Sequence, residues 1–399
     1  MVLEKKQKLL YISTIVLIGF TLSVFYHYAM GLYFSHGYPY NTFLCLPSNR
    51  WMDFIGPFRM SADPYHLATS AFSQFPFLYK VAAIFSIVKP ETLALNIYLL
   101  VYILALFYVV FTQFKIEDKV LSLKNAFILS FLTYPFLFAF DRANFEIIVF
   151  FCLYLYVFLY KRHPSISALF LGFAIALKAF PVILAVLLLA DRRYKEIAIA
   201  AVVSLSVTLL SYATFPSGVI ENITLQLRNL VLYTQDYVVG NAGLAFGNSL
   251  WGAIKFMSSL TSSQMMSTLT YSILVVVGLT GIVIYVVFIE KKFWKRTALL
   301  ICALNLFPQV SADYKLLHIF IPLFLFINEI EFKRIDWLYL VVFGLLLIPK
   351  GYYHLPTWPE ASISILFNPL LMLVLTISIM ATGLMPYFRS NNVRETCEN

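Results

Sequence analysis

Long apolar runs recur along this chain from residue 9 to residue 388, and no polar stretch between them is long enough to fold by itself. A straight helix crosses the roughly 30 Å hydrocarbon layer of a bilayer with about 20 residues, so the runs read as transmembrane helices. Composition agrees: hydrophobic residues make up 61% of the 399 and charged residues only 12%, with a mean hydropathy of +0.81. In soluble domains about a quarter of the residues are charged. The expectation is an all-α polytopic membrane protein whose residues 1–399 form a single integral membrane domain with no soluble appendage.

The formal charge of +9 does not point to nucleic acid, because the basic residues lie in short loops between apolar runs, where topology accounts for them. Cys45, Cys152, Cys302 and Cys397 share no metal-binding spacing, and neither a metal nor another cofactor is expected. The run at residues 9–30 follows Lys5, Lys6 and Lys8, but it is too long for a signal peptide and no small-residue cleavage site follows. It reads as an uncleaved first span.

Spans are expected near 9–30, 91–113, 125–140, 144–160, 165–178, 179–190, 196–214, 266–289, 297–310, 314–329, 337–350 and 363–386, about 12 in all. Several are shorter than a straight crossing needs, and those at 165–178 and 179–190 are half-length helices meeting at ALKAFP. With the N-terminus inside, the cytoplasmic segments hold 19 of the 29 Lys and Arg residues, as the positive-inside rule requires. This orientation makes both termini cytoplasmic and puts residues 31–90, 215–265 and 351–362 outside. Within the first outer loop, FSQFPFLYKVAAIFSIV is interrupted by Lys80 and too short to cross; it reads as helix lying on the membrane surface.

Ionisable side chains at membrane depth cost at least about 2.5–3.5 kcal/mol on insertion scales, so those that persist are paired, snorkelling or functional. Five places stand out, all on the outer side. WMDFIGPFRMSADPY, residues 51–65, carries Asp53, Arg59 and Asp63, with His66 just beyond. Asp63 before Pro64 reads as a cap or turn residue, whereas Asp53, among Trp51, Met52, Phe54 and Ile55, is a candidate general base. In FAFDRANFE, residues 138–146, Asp141 can cap the next helix, and Arg142 either snorkels or serves a phosphate site at a helix N-terminus. In LKAFP, residues 177–181, Pro181 breaks the helix, and Lys178 either snorkels or faces an anionic ligand. In FPQVSADYKLLHIFIP, residues 307–322, a helix starting near Asp313 puts Tyr314, Leu317 and His318 on one stripe. His318 is then either a satisfied core histidine or shares a chamber with Asp313 and Tyr314. GNAGLAFGNSLWG, residues 240–252, fits a flexible outer loop. Together these describe an outer cavity with an acid, several cations and an imidazole, suited to an anionic lipid-linked substrate. There is no P-loop, GxGxxG or Asp-x-Asp pair, so nucleotide and nucleotide-sugar chemistry have no visible seat.

Several of these pieces, in this order, resemble glycosyltransferase family 87: Asp53-Phe54, Asp63-Pro64-Tyr65, FSQFPFLYK, Arg142-Ala143-Asn144, Leu177-Lys178-Ala179-Phe180-Pro181, LLLADRR and the NSL at 248–250. The resemblance runs from about residue 50 to residue 320. It implies a GT-C-type fold and a polyprenyl-phosphate-hexose donor, most simply mannosyl, with a lipid-linked or cell-envelope glycan as acceptor. It further implies Asp53 as the base of a one-step inversion, and Arg142, Lys178 and Lys315 at the donor phosphate. Asp63, Tyr65, Asn144, Asp313 and His318 would support the acceptor or the sugar. Gln-Phe-Pro stands where the family has Tyr-Pro-Pro, Arg-Ala-Asn where it has Arg-Gly-Asn or Gly-Gln-x-Asn, and Ser-Ala-Asp-Tyr-Lys-Leu-Leu-His at its late Ser-x-x-x-x-His element, differences that bear on sugar and acceptor more than on reaction class.

A secondary transporter also combines many spans with broken helices near polar residues, but the breaks here are not mirrored in a second half and no internal repeat is visible. A flippase, polymerase or ligase of lipid-linked glycans would share the outer cavity without these ordered motifs.

Overall fold

The computed structural model describes residues 5–67, 74–261, 263–351 and 361–397, with side chains of the last helix to residue 384. Helix α1 (Lys5–Leu32) is followed by α2 (Met52–Arg59), α3 (Pro64–Leu67) and α4 (Pro76–Ser86), then by α5 (Glu91–Phe114), α6 (Lys119–Phe131), α7 (Tyr134–Arg142), α8 (Glu146–Leu159), α9 (Pro164–Leu177), α10 (Ala185–Ala190) and α11 (Tyr194–Ala213). A second connecting region holds α12 (Gly218–Tyr233) and α13 (Leu250–Leu260). The chain ends with α14 (Thr268–Ile284), α15 (Phe293–Leu306), α16 (Phe320–Ile327), α17 (Asp336–Leu347) and α18 (Ser364–Cys397). Among the described residues no strand forms, and Gly247 pairs with Ala312 in an isolated bridge.

The protein is an all-helical, polytopic membrane protein. Five helical segments, Lys5–Leu32, Glu91–Phe114, Tyr194–Ala213, Thr268–Ile289 and Ser364–Leu384, are long and apolar enough to cross a bilayer. A sixth arises if α6 and α7, bent by 54° at their junction, count as one span. The expectation of about 12 also counted α8, α9, the Phe180–Ala190 stretch and α17, which are apolar but fall within 10–17 residues, below the length of a straight crossing. The stretch at Pro76–Ser86, expected to lie on the membrane surface, is one of these short apolar helices. Its interrupting Lys80 sits 3.5 Å from the centre of the Phe215 ring and donates to the Thr214 carbonyl at 3.3 Å.

Short helices leave unpaired backbone groups that an apolar environment cannot hydrate. Buried tyrosines add donors to carbonyls near such ends. Tyr98 and Tyr102 of α5 donate to the carbonyls of Asn144, in the break between α7 and α8, and of Phe136, in the first turn of α7, at 2.8 and 2.9 Å. Tyr156 of α8 and Tyr160 just after it do the same for Leu184 and Leu187 after the break at Pro181. Interrupted helices are thus stabilised by partners from their neighbours, and the break before α8 meets the break after α9 through the Lys178–Glu146 ion pair.

Packing around that region is close. α9 lies between α8 and α11, and a Cβ on Gly172 would meet the Val203 side chain at 2.8 Å and the Ala200 carbonyl oxygen at 2.9 Å. Small residues let helices approach in this way, and overpacking such a contact costs typically about 1–3 kcal/mol. By contrast, only 17% of the spanning window of α11, and of that containing α14, is buried inside the protein; their outer faces meet lipid. One apolar core extends from Leu9 in α1 to Ile379 in α18.

Candidate active site

Asp53 is placed by its neighbours in sequence. Trp51 adopts a left-handed backbone with φ of 61° and starts α2, while its N–H donates to the Asp141 carbonyl at 2.9 Å. Phe54 is fully buried and packs on Tyr98 and Phe145, with ring centroids 4.9 and 5.8 Å apart. These two anchors fix the first turn of α2, and Asp53 between them points to the turn that joins α7 to α8.

That turn is Arg142-Ala143-Asn144. Ala143 ends α7 with φ of 48° and ψ of 44°, a left-handed conformation that glycine adopts without strain, which gives the Arg-Gly-Asn of the resembling family a physical reading. Arg142 clamps Asp53 with two nitrogens: Nε donates to Oδ2 at 3.1 Å and a terminal nitrogen to Oδ1. Its third nitrogen donates to the Asn49 carbonyl at 2.9 Å. Asn144 Nδ2 donates to Asp53 Oδ2 at 2.6 Å, while its Oδ1 accepts from the backbone N–H of Glu146 at 2.8 Å. Asp53 keeps 17% side-chain exposure and Arg142 19%, so both remain reachable.

Two residues on, Glu146 is completely buried and accepts from two directions. Lys178 Nζ donates to its Oε2 at 2.6 Å, and His318 Nε2 lies 2.6 Å from its Oε1. Lys178 reaches it because the chain after α9 is extended there, with φ of −153° and ψ of 136°, before a 3-10 turn at Phe180–Leu184; Pro181 breaks the helix as its chemistry dictates. His318 reaches it from another 3-10 turn, Asp313–Ile319. An α-helix was expected from Asp313, with Tyr314 and His318 on one stripe. Three residues per turn instead eclipse positions i and i+3, which brings Lys315 and His318 to the same side. Lys315 lies within electrostatic range of Glu146 and Lys178 and 4.4 Å from the centre of the Phe180 ring. Its ammonium makes no hydrogen bond or ion pair among the described residues.

Asp141 supports the loop behind the site. Rather than capping α8, its carboxylate accepts from the Cys45 N–H at 2.9 Å, the Cys45 thiol at 2.7 Å and Arg50 Nε at 2.9 Å. Burial, reinforced by that carboxylate, pushes the Cys45 thiol up to about 12, so it stays protonated and donates.

Asp53, Arg142, Asn144, Lys178, Lys315 and His318 therefore converge. Three other expected residues do not join them. Asp63 lies 3.3 Å from Nδ1 of His66, whose other ring nitrogen is 3.6 Å from Glu221. Tyr65 is buried in an aromatic cluster with Tyr79, Tyr212 and Phe215 and donates to Gln226 at 3.3 Å. Asp313 is fully buried away from the cluster, accepting from Ser364 at 2.8 Å and Asn368 at 2.9 Å, so it ties the 3-10 turn to α18. Glu146 was the residue missed. Its signal in the sequence was a lone carboxylate heading the apolar run IIVFF, a position that demands a cationic partner. Among the described residues, no three His, Cys, Asp or Glu side chains group in a way that could hold a metal ion.

No curated protein matches the chain. The model of glycosyltransferase family 87 matches residues 75–311, a range containing Arg142, Asn144, Glu146 and Lys178 but ending before Lys315 and His318 and starting after Asp53. The match covers more than half of the chain, and this membrane protein belongs to glycosyltransferase family 87.

Proposed function

We propose that the protein transfers a hexose, mannose in the first instance, from a polyprenyl-phosphate-hexose donor to a lipid-linked or cell-envelope glycan. We place the reaction on the outer face of the cytoplasmic membrane, in a GT-C-type fold with residues 1–399 as one domain and both termini cytoplasmic. The observation that carries the reading is a reachable carboxylate, Asp53, held by Arg142 and Asn144 of the turn that leads into Glu146 and the cations around it. Three cationic side chains, Arg142, Lys178 and Lys315, face two carboxylates, Asp53 and Glu146. The one positive charge left over complements the single negative charge of a phosphodiester.

Each carboxylate oxygen has roughly two acceptor positions. Oδ2 of Asp53 accepts from both Arg142 and Asn144, whereas Oδ1 accepts from Arg142 alone, so Oδ1 is the atom with room for a proton. In the reaction we infer, the acceptor hydroxyl oxygen attacks the anomeric carbon from the side opposite the phosphate and its proton passes to Asp53 Oδ1. The bond from that carbon to the phosphate oxygen breaks, and its electron pair leaves on polyprenyl phosphate. Lys178 and Lys315 meet the charge that grows on the leaving group. Glu146 is fully buried and has no path to an acceptor hydroxyl; it fixes cations, and Asp53 is the base. General-base assistance of this kind contributes typically about 10²–10⁴-fold.

Purified protein in vesicles, given a membrane glycolipid extract as acceptor, separates lipid-linked from nucleotide-linked donors. Label from polyprenyl-phosphate-mannose should enter glycolipid, and label from a nucleotide sugar should not. Transfer from the nucleotide sugar without any lipid-linked donor would overturn the reading.

A further inference from the structure

We propose that Tyr233 and Tyr237 form the platform on which the transferred hexose lies. The proposal rests on the donor reading above and names the sugar subsite within it. Tyr233 is the last residue of α12, and the chain continues directly into a π-helical turn, Thr234–Val239. The two rings, four residues apart, stack with centroids 4.6 Å apart and planes 14° from parallel. Tyr237 lies within electrostatic range of Asp53 and Arg142, and Tyr233 within that of Lys178 and Tyr314. The pair therefore borders both the base and the leaving-group cations. In a single displacement the transferred sugar occupies that interval, since its anomeric carbon is bonded to the phosphate on one side and attacked on the other.

The surface has the chemistry of a hexose and not of a lipid tail. Both rings are half-buried; stacked on each other, each keeps its outer face for the C–H side of a pyranose, and the hydroxyls of Tyr233, Tyr237 and Tyr314 find no hydrogen-bond partner among the described residues. Polar tips on apolar bodies suit a ligand that is wet at its edge and apolar on its face. The platform is held from behind. Lys255, 5% exposed, donates to the carbonyls of Val238 at 3.2 Å and Val239 at 3.4 Å, and to that of Gly240. Trp251 Nε1 also donates to the Val238 carbonyl, at 3.0 Å. A buried ammonium with only carbonyl partners pins the end of the π turn, a departure from α-helix that is frequent at functional sites, and Lys255 acts here as a positioning residue.

The test compares binding of polyprenyl-phosphate-mannose with that of polyprenyl phosphate, which lacks the sugar, to wild type, Tyr237→Phe, Tyr237→Ala and Lys255→Met in detergent. Wild type should bind the sugar-bearing lipid more tightly, Tyr237→Ala should lose about tenfold for that lipid and less than twofold for the bare phosphate, and Tyr237→Phe should keep most of the preference. Lys255→Met should lose the preference in the same direction, without loss of affinity for the bare phosphate. Equal loss for both lipids, or an unchanged preference in Tyr237→Ala, would overturn the platform. If wild type bound neither lipid, the donor reading itself would fall, and the platform with it.

Discussion

Replacing Glu146 by glutamine keeps the shape of the buried side chain and removes its charge. In the folded protein Glu146 and His318 side chains have no exposure and that of Lys178 only 13%. An ion pair at 4 Å gains about 4 kcal/mol at an effective dielectric of about 20, and the 2.6 Å contact from Lys178 is closer. Desolvation offsets much of that gain while the pair is intact, but orphaning one buried partner costs about 3–5 kcal/mol. Glu146→Gln is therefore expected to destabilise by about 3 kcal/mol, less than full removal because the amide oxygen still accepts from one neighbour. Adding Lys178→Met removes the orphaned cation, and the double variant should regain stability relative to Glu146→Gln, with a coupling of about 1–3 kcal/mol. Unfolding of purified protein in one detergent, followed by tryptophan fluorescence against denaturant, supplies all the corners of the cycle. Additive losses, or a Glu146→Gln variant as stable as wild type, would refute the claim that this carboxylate is the counter-ion of Lys178.

Asp313→Asn should lower stability by loosening the contacts to Ser364 and Asn368, yet leave kcat/KM per folded molecule within about threefold of wild type; a much larger kinetic loss would put Asp313 in the chemistry. Cys45 tests the protonation argument: its thiol is raised from 9.0 in the ordinary state to about 12 in the fold. A folded-state value above the unfolded one contributes stability below pH 9.0 that is lost as pH rises toward about 12. Cys45→Ser should flatten that alkaline decline, and at neutral pH the native thiol should resist maleimide until the protein is unfolded. Transfer should also persist in excess chelator, since a phosphate leaving group faced by lysines needs no divalent ion; restoration of a chelator-dead enzyme by added metal would contradict this.

The membrane class was legible because apolar run length depends only on local sequence, and the break at Pro181 because proline removes a donor wherever it stands. The number of crossings was less so: α8, α9 and α17 are apolar like the longer helices, but at 10–17 residues their length alone does not make a straight crossing. Asp53, Arg142 and Lys178 stood out as charges in apolar surroundings, but their partners did not. Glu146 lies 32 residues from Lys178 and 172 from His318, a separation that no periodicity encodes. Lys315 and His318 face one side because the backbone there is a 3-10 turn, packed against α7, α8, α15 and α16. Asp313 looked like a site residue for the reason that it is ionisable and deep; Ser364 and Asn368, which occupy it, come from the last helix.

The most direct test of the central claim is the turnover of Asp53→Asn with a labelled polyprenyl-phosphate-hexose donor, measured beside donor binding to the same preparation. Asparagine keeps the side chain's size and one acceptor oxygen for Arg142 but cannot take the acceptor proton. Turnover should fall by about 100-fold or more, roughly 2.7 kcal/mol in the barrier, with donor affinity within a fewfold of wild type. Equal turnover in wild type and variant would show that another group takes the proton and would contradict the assignment of Asp53.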